Sequence, residues 1–170
     1  MVEEERSLGQ VTVVAEGEWP MTTANLGTAL RFAFPGEPDL KLTLTSFDEA
    51  GVGHRVWDSA IVMALVLREE KVALQNIEVG FPRNARVLEL GAGLGLPGID
   101  LARRAPVSVT LTDGRLSLVD LLRSNAAAAV THEGMGSVQV EQCEFAADEN
   151  SKLGNAFDLV IGSDICCAPC

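Results

Sequence analysis

The sequence predicts an α/β fold built on a doubly wound, mostly parallel sheet, with a β element at its N-terminal side. Three observations carry this. From Ala85 onward, strand-like and helix-like stretches alternate. A glycine-rich run, Gly91-Ala-Gly-Leu-Gly-Leu-Pro-Gly98, joins the first of these strands to a helix. An acidic residue, Asp113, ends the next strand. The alternation implies parallel strands with right-handed crossovers. A glycine turn followed by an acid describes a nucleotide-type cofactor pocket at the mouth of such a sheet.

Residues 1–50 read as an N-terminal β element and residues 51–170 as the cofactor-binding domain. Leu8 to Ala15, Leu30 to Phe34 and the alternating Leu40 to Thr45 read as strands, with a turn at Pro35-Gly-Glu-Pro38. Gly51-Val-Gly53 reads as a flexible joint. A helix is expected from Asp58 or Ser59, either of which could cap it, to Lys71. Trp57, Ile61, Ala64, Leu65 and Arg68 share one face, which Val62 and Val66 widen.

Arg86 to Leu90 is a buried strand, and Pro97 suits the first turn of a helix ending at Arg104. Val107 to Thr112 is a strand, Leu116 to Val130 a helix, and Val138 to Gln142 a third strand. Phe157 to Gly162 is a fourth strand, apolar on both faces like a central strand. The chain stops soon after it, which reads as a longer fold cut short after the fourth strand.

The chain of 170 residues suggests one domain; 47% hydrophobic and 22% charged residues suit a globular protein. Tyrosine is absent, so aliphatic side chains must form the core. A formal net charge of -11 disfavours nucleic acid and anionic membrane as partners, because both need a basic face. It suits a cationic ligand or a basic protein substrate. The acidic start lacks the basic and apolar regions of a signal peptide, and Ala60 to Leu67 is too short to span a bilayer. Reduced thiols, a cytoplasmic or nuclear location and a monomeric state are expected.

The glycine run can be parsed two ways. Gly93-Leu-Gly-Leu-Pro-Gly98, with Asp113 further on, fits the dinucleotide pattern. Gly91-Ala-Gly93-Leu-Gly95, with Glu89 just ahead, fits the first motif of class I S-adenosylmethionine (SAM) methyltransferases. Charge separates them. A dinucleotide brings an anionic pyrophosphate, whereas SAM brings a sulfonium and an ammonium offset by one carboxylate. Glu89, Asp113 and Asp164 all fall near the carboxyl ends of strands, and three carboxylates favour the cationic ligand. One of them could instead brace a loop, Glu89 more readily than Asp113.

Gly53-His-Arg-Val-Trp57-Asp-Ser-Ala60, Val87-Leu-Glu-Leu-Gly-Ala-Gly-Leu-Gly-Leu96, Leu111-Thr-Asp113 and Asp158-Leu-Val-Ile-Gly-Ser-Asp164 follow one another in that order. This set resembles the small seven-strand protein-lysine methyltransferases, methyltransferase family 16, the lysine methyltransferase twenty-one-like enzymes. The resemblance implies a Rossmann-like class I methyltransferase fold, SAM as cofactor and a protein substrate with a target lysine. By the same resemblance, Trp57 and the turn at Gly91, Gly93 and Gly95 would contact the methionine part of SAM, and Asp113 the ribose hydroxyls. Phe145 stands where the family usually has a tryptophan beside the adenine. Asn125 matches an asparagine common in the second helix, expected to brace helix to loop.

The fourth strand departs from the pattern. Asp164 matches the family's aspartate near the target nitrogen and is expected to position substrate. Cys167 stands where an aromatic residue, usually tyrosine, is found. The expected function is SAM-dependent protein-lysine methylation. The alternatives are a non-catalytic fragment or pseudoenzyme that binds cofactor or a partner, and an NAD-linked oxidoreductase. Cys166, Cys167 and Cys170 crowd the end of the chain, but a closed zinc site needs four ligands, usually from separated pairs, so no metal is expected.

Overall fold

The computed structural model describes residues 3–16, 29–45, 53, 55–69, 72–74, 77–79, 84–131, 134–144 and 157–165. β1 (Glu3–Leu8), β2 (Val11–Glu16), β3 (Ala29–Ala33) and β4 (Leu40–Thr43) form an antiparallel sheet in sequence order. The single strand expected from Leu8 to Ala15 is instead the end of one strand and most of another. Leu8 pairs with Val11 across a two-residue turn at Gly9 and Gln10. Gly9 has φ of 61°, a left-handed conformation that glycine adopts readily and that two-residue hairpin turns require. Leu40 and Leu42 are buried while Lys41 and Thr43 are exposed, the two-residue period of a half-buried strand.

α1 (Asp58–Val66) begins without a side-chain cap. The Trp57 carbonyl accepts from the Ala60 and Ile61 amides, so neither Asp58 nor Ser59 takes the capping place. Asp58 lies in the first turn, where its charge complements the helix dipole. Ile61 and Ala64 are buried, but Val62 is 49% exposed and does not widen the core stripe. The helix stops five residues before Lys71, and two three-residue strands follow, β5 (Val72–Leu74) and β6 (Ile77–Val79). They pair antiparallel, and the sequence did not suggest them.

The remaining elements are β7 (Arg86–Leu90), α2 (Leu96–Arg104), β8 (Ser108–Asp113), α3 (Leu116–Ala129), β9 (Ser137–Gln142) and β10 (Leu159–Gly162). The four strands form a parallel sheet in the order β10-β7-β8-β9. The chain moves outward from β7 to β8 to β9, then returns to pair β10 on the other side of β7. The crevice above β7 and β10 is therefore the topological switch point, where open parallel sheets bind ligands. Among the described residues β10 is an edge strand, and Val160 on it is 55% exposed.

One hydrophobic cluster runs through both sheets, from Phe32 and Leu42 through Ile61 to Ile99, Leu111 and Leu122. Two polar devices fasten the parts together. Asp100 on α2 is fully buried and pairs with Arg68 and Arg104. Arg68 also holds Glu37 of the β3–β4 turn with two hydrogen bonds, of 3.0 and 2.9 Å, and lies over the Phe34 ring at 3.4 Å. Burial works against the Arg68 charge, but its hydrogen bonds to Asp100 and Glu37 outweigh that and raise its pKa. Asn125 on α3 accepts from the Thr43 amide at 2.9 Å and donates to the Thr43 carbonyl at 3.2 Å. It thereby occupies backbone groups of β4, the edge strand of the antiparallel sheet, that no further strand takes up among the described residues.

Candidate cofactor site

The β7–α2 turn crosses the switch point with three glycines in left-handed conformations: Gly91, Gly93 and Gly95, at φ of 59°, 55° and 85°. The turn packs closely on the helices behind it. A Cβ on Gly95 would lie 2.4 Å from Leu122 Cδ1 and 2.9 Å from Ile99 Cδ1. A Cβ on Gly93 would meet only the Gly53 carbonyl, at 3.9 Å, so the turn's outer side is open. A cleft of about 220 Å³ lies over it, lined by the turn, by Arg55, Trp57 and Ala60 ahead of and within α1, by Asp113 to Arg115, by Cys143 and by Ser163 to Ile165.

Four amides of the turn are spoken for within the protein. Ala92 donates to the Thr112 carbonyl and Gly95 to the Ala92 carbonyl, both at 2.8 Å. The Gly93 amide donates to Asp113 Oδ2 at 3.0 Å, and the Gly98 amide to Glu89 Oε2 at 2.8 Å. Pro97 has no amide. A pyrophosphate at this place would need such donors free, since it is held by the amides of a glycine turn and helix N-terminus. It would also meet the Asp113 carboxylate on the Gly93 amide. With these four amides taken and the Asp113 carboxylate at the Gly93 amide, the turn suits ligand hydroxyls and gives a diphosphate poor footing.

Glu89 takes a different place from the one its charge suggested. It is 2% exposed, lies beneath the turn and is absent from the cleft wall. Burial pushes its carboxyl up to about 8, against the opposing effect of the Gly98 hydrogen bond. At neutral pH it is mostly uncharged, so it supplies no field for a cation. Of the three carboxylates expected around the ligand, the structure brings Asp113 and Asp164 to the cleft and keeps Glu89 as a brace. Asp113 ends β8 and also accepts from the Arg115 amide at 3.1 Å. Each of its oxygens still has a lone pair for a ligand hydroxyl.

Asp164 follows β10 and has φ of 59°, a left-handed conformation that aspartate tolerates better than most residues. It is exposed and faces the cleft beside Ser163. Trp57 is 37% exposed in the cleft wall, where core packing would have buried it. The Arg55 guanidinium lies 3.9 Å from the centre of its ring. Cys143, buried on the wall, is a thiol outside any disulfide, and burial raises its pKa.

The structure thus gathers Trp57, Gly91, Gly93, Gly95, Asp113 and Asp164 around one cleft. Phe145 lies outside the described residues, as do Cys166, Cys167 and Cys170. Sequence reasoning missed Arg55, Arg115 and Ser163 as wall residues. Arg55 and Ser163 lie inside runs that it did single out, and Arg115 lies two residues after one. Asn125, expected as a brace, also donates to the Leu94 carbonyl of the turn at 3.4 Å. It links the antiparallel sheet to the floor of the cleft.

Comparison with known proteins agrees with this geometry. The family model described as lysine methyltransferase matches residues 37–168. The protein N-lysine methyltransferase METTL21A of Xenopus tropicalis is 32% identical over 69% of this chain and 49% of its own length. The EEF1A lysine methyltransferase 3 of Mus musculus is 33% identical over 84% of this chain and 56% of its own length. A calmodulin-lysine N-methyltransferase of Arabidopsis thaliana is 32% identical over 48% of this chain and 27% of its own length. The chain spans about half the length of the first two. With the family model covering most of its residues, the chain belongs to the lysine methyltransferase family.

Proposed function

We propose that this protein is a SAM-dependent protein-lysine N-methyltransferase whose parallel sheet forms the cofactor side of a doubly wound, Rossmann-like class I fold. The observation that carries the reading is the state of the glycine turn. The Ala92, Gly93, Gly95 and Gly98 amides are used internally, a carboxylate stands on Gly93, and the turn's outer side is open to a ligand.

Bound SAM would supply an electrophilic methyl group on a sulfonium, to be taken up in line by an amine. Asp113 would accept hydrogen bonds from the ribose hydroxyls. Gly91 and Gly93 let the ligand approach the backbone. Trp57 offers an aromatic wall, which attracts a cation. The chain need not provide a nucleophile, because holding two reactants in line is itself worth about 7–11 kcal/mol in favourable cases. Asp164 would attract the protonated target lysine and so help it to bind. The same charge raises the lysine pKa above its usual value of about 10.4, so the proton must leave through desolvation or a water path. Asp164 is therefore assigned to positioning. A basic surface around the target lysine suits a chain with a net charge of -11. The names of the relatives, which include EEF1A and calmodulin methyltransferases, support a protein substrate.

Mass spectrometry of a protein extract incubated with enzyme and SAM tests this. The wild type should add methyl groups to lysine. Asp164→Ala should reduce turnover at least about tenfold while leaving the Kd for S-adenosylhomocysteine within about twofold. Equal loss of both would remove the positioning role. Tight cofactor binding by the wild type with no transfer to any protein would favour a non-catalytic binding role.

A further inference from the structure

The chain has few cations, and most of its described arginines use theirs on the protein itself. Arg31, Arg68, Arg86, Arg104 and Arg123 pair with carboxylates. Arg103 donates to the Pro38 and Asp39 carbonyls. Among the described arginine side chains, only Arg55 and Arg115 have neither kind of partner, and both line the cleft. In a protein with 24 acidic residues, two such guanidiniums at one cleft call for an anionic ligand group. The two are not equivalent. Arg115 is exposed and lies two residues after Asp113, at the ribose end of the proposed site. Arg55 is half-buried and lies over the Trp57 ring, in the segment that passes the glycine turn.

We propose that Arg55 is the anchor for the α-carboxylate of the cofactor's amino-acid tail, an inference that rests on the SAM reading above. With the ribose on Asp113, the tail must leave that end and run along the turn toward Arg55 and Trp57. The tail carries one ammonium and one carboxylate. Among the described side chains lining the cleft, Arg55 is the one cation on that side, and it suits the carboxylate. A guanidinium binds a carboxylate with two parallel hydrogen bonds, a geometry that lysine cannot reproduce. The stack on Trp57 restrains the side chain before the ligand arrives, which lowers the ordering cost of binding. Arg55 thereby makes the site selective for a cofactor that retains its carboxylate.

Calorimetry with two ligands tests this: S-adenosylhomocysteine, and its decarboxylated analogue, identical but for the missing carboxylate. The wild type should bind the first at least about tenfold more tightly, the range expected for one charged hydrogen-bonded pair. Arg55→Gln should weaken the first by about ten- to a hundredfold and the second by less than about threefold. Arg55→Lys should recover part of the loss, and circular dichroism should show both variants folded. Equal weakening of both ligands by Arg55→Gln would overturn the assignment, because it would mean a role through Trp57 or the fold. A carboxylate-dependent loss in Arg115→Gln instead would also overturn it. Wild-type protein that binds both ligands equally removes this inference alone. Folded wild-type protein that binds neither removes the underlying reading as well.

Discussion

Replacing Glu89 by glutamine should remove a large part of the protein's sensitivity to alkaline pH. Glu89 is fully enclosed beneath the glycine turn, and burial raises its carboxyl from 4.5 to about 8. The unfolded chain therefore loses this proton near pH 4.5, while the folded chain keeps it until about pH 8. Between those values the folded state binds more protons, so stability falls as pH rises. The contribution is fully present below about pH 4.5 and lost as pH passes the folded value. Each tenfold difference in proton affinity between the two states is worth about 1.36 kcal/mol. The loss is therefore on the order of 2–3 kcal/mol from pH 5 to 7 and about 4 kcal/mol from pH 5 to 9. Glutamine keeps a carbonyl to accept from the Gly98 amide and carries no titrating proton. Urea denaturation at pH 5, 7 and 9 should show a smaller decline for Glu89→Gln than for the wild type, by an amount of that order. Parallel declines in the two proteins would mean that Glu89 is charged and solvated, contrary to its enclosed position. Asp158 does not confuse the test. Its pKa is lowered by the Arg86 amide and side chain, so its contribution is lost only as pH falls below the usual carboxylate range.

Two further substitutions probe the same neighbourhood. A Cβ on Gly98 would lie 2.4 Å from both Glu89 Oε2 and Leu111 Cδ2, and 3.0 Å from Val109 Cγ1. Gly98→Ala should therefore cost about 1–3 kcal/mol in urea denaturation, and a neutral result would mean that the strand beneath yields freely. Asn125→Leu should cost about 2–4 kcal/mol, because it leaves the Thr43 amide and carbonyl and the Leu94 carbonyl without this partner. It should also weaken S-adenosylhomocysteine binding, and full-strength binding would show that the turn does not depend on the antiparallel sheet.

The parallel half was legible because its signals are local. Apolar β7 runs straight into glycines, Pro97 opens α2, and Asp113 ends β8, so each element carries its own punctuation. The N-terminal half was harder. Gly9 lies in a run that reads as one strand, and only its left-handed φ reveals the hairpin. The early end of α1 has no strong stop signal; Leu67 and Arg68 turn away into the core and toward Asp100. That ion network joins residues 37, 68, 100 and 104, and pairings over such distances leave no periodicity to read. The place of Glu89 was left open between ligand and brace for a related reason. Its position at the end of β7 is visible in sequence, but the face it points to depends on how α2 folds back over the strand. Arg55 became visible only after the other arginines had found partners.

A glycine turn with four amides already taken and a carboxylate on Gly93 should take a hydroxyl-bearing nucleoside that lacks phosphate and refuse a diphosphate. Titration of the folded protein with S-adenosylhomocysteine and, separately, with NADH tests that most directly. Saturable one-site heat is expected with S-adenosylhomocysteine and none with NADH. The reverse pattern, heat with NADH and none with S-adenosylhomocysteine, would show that the turn holds phosphate after all.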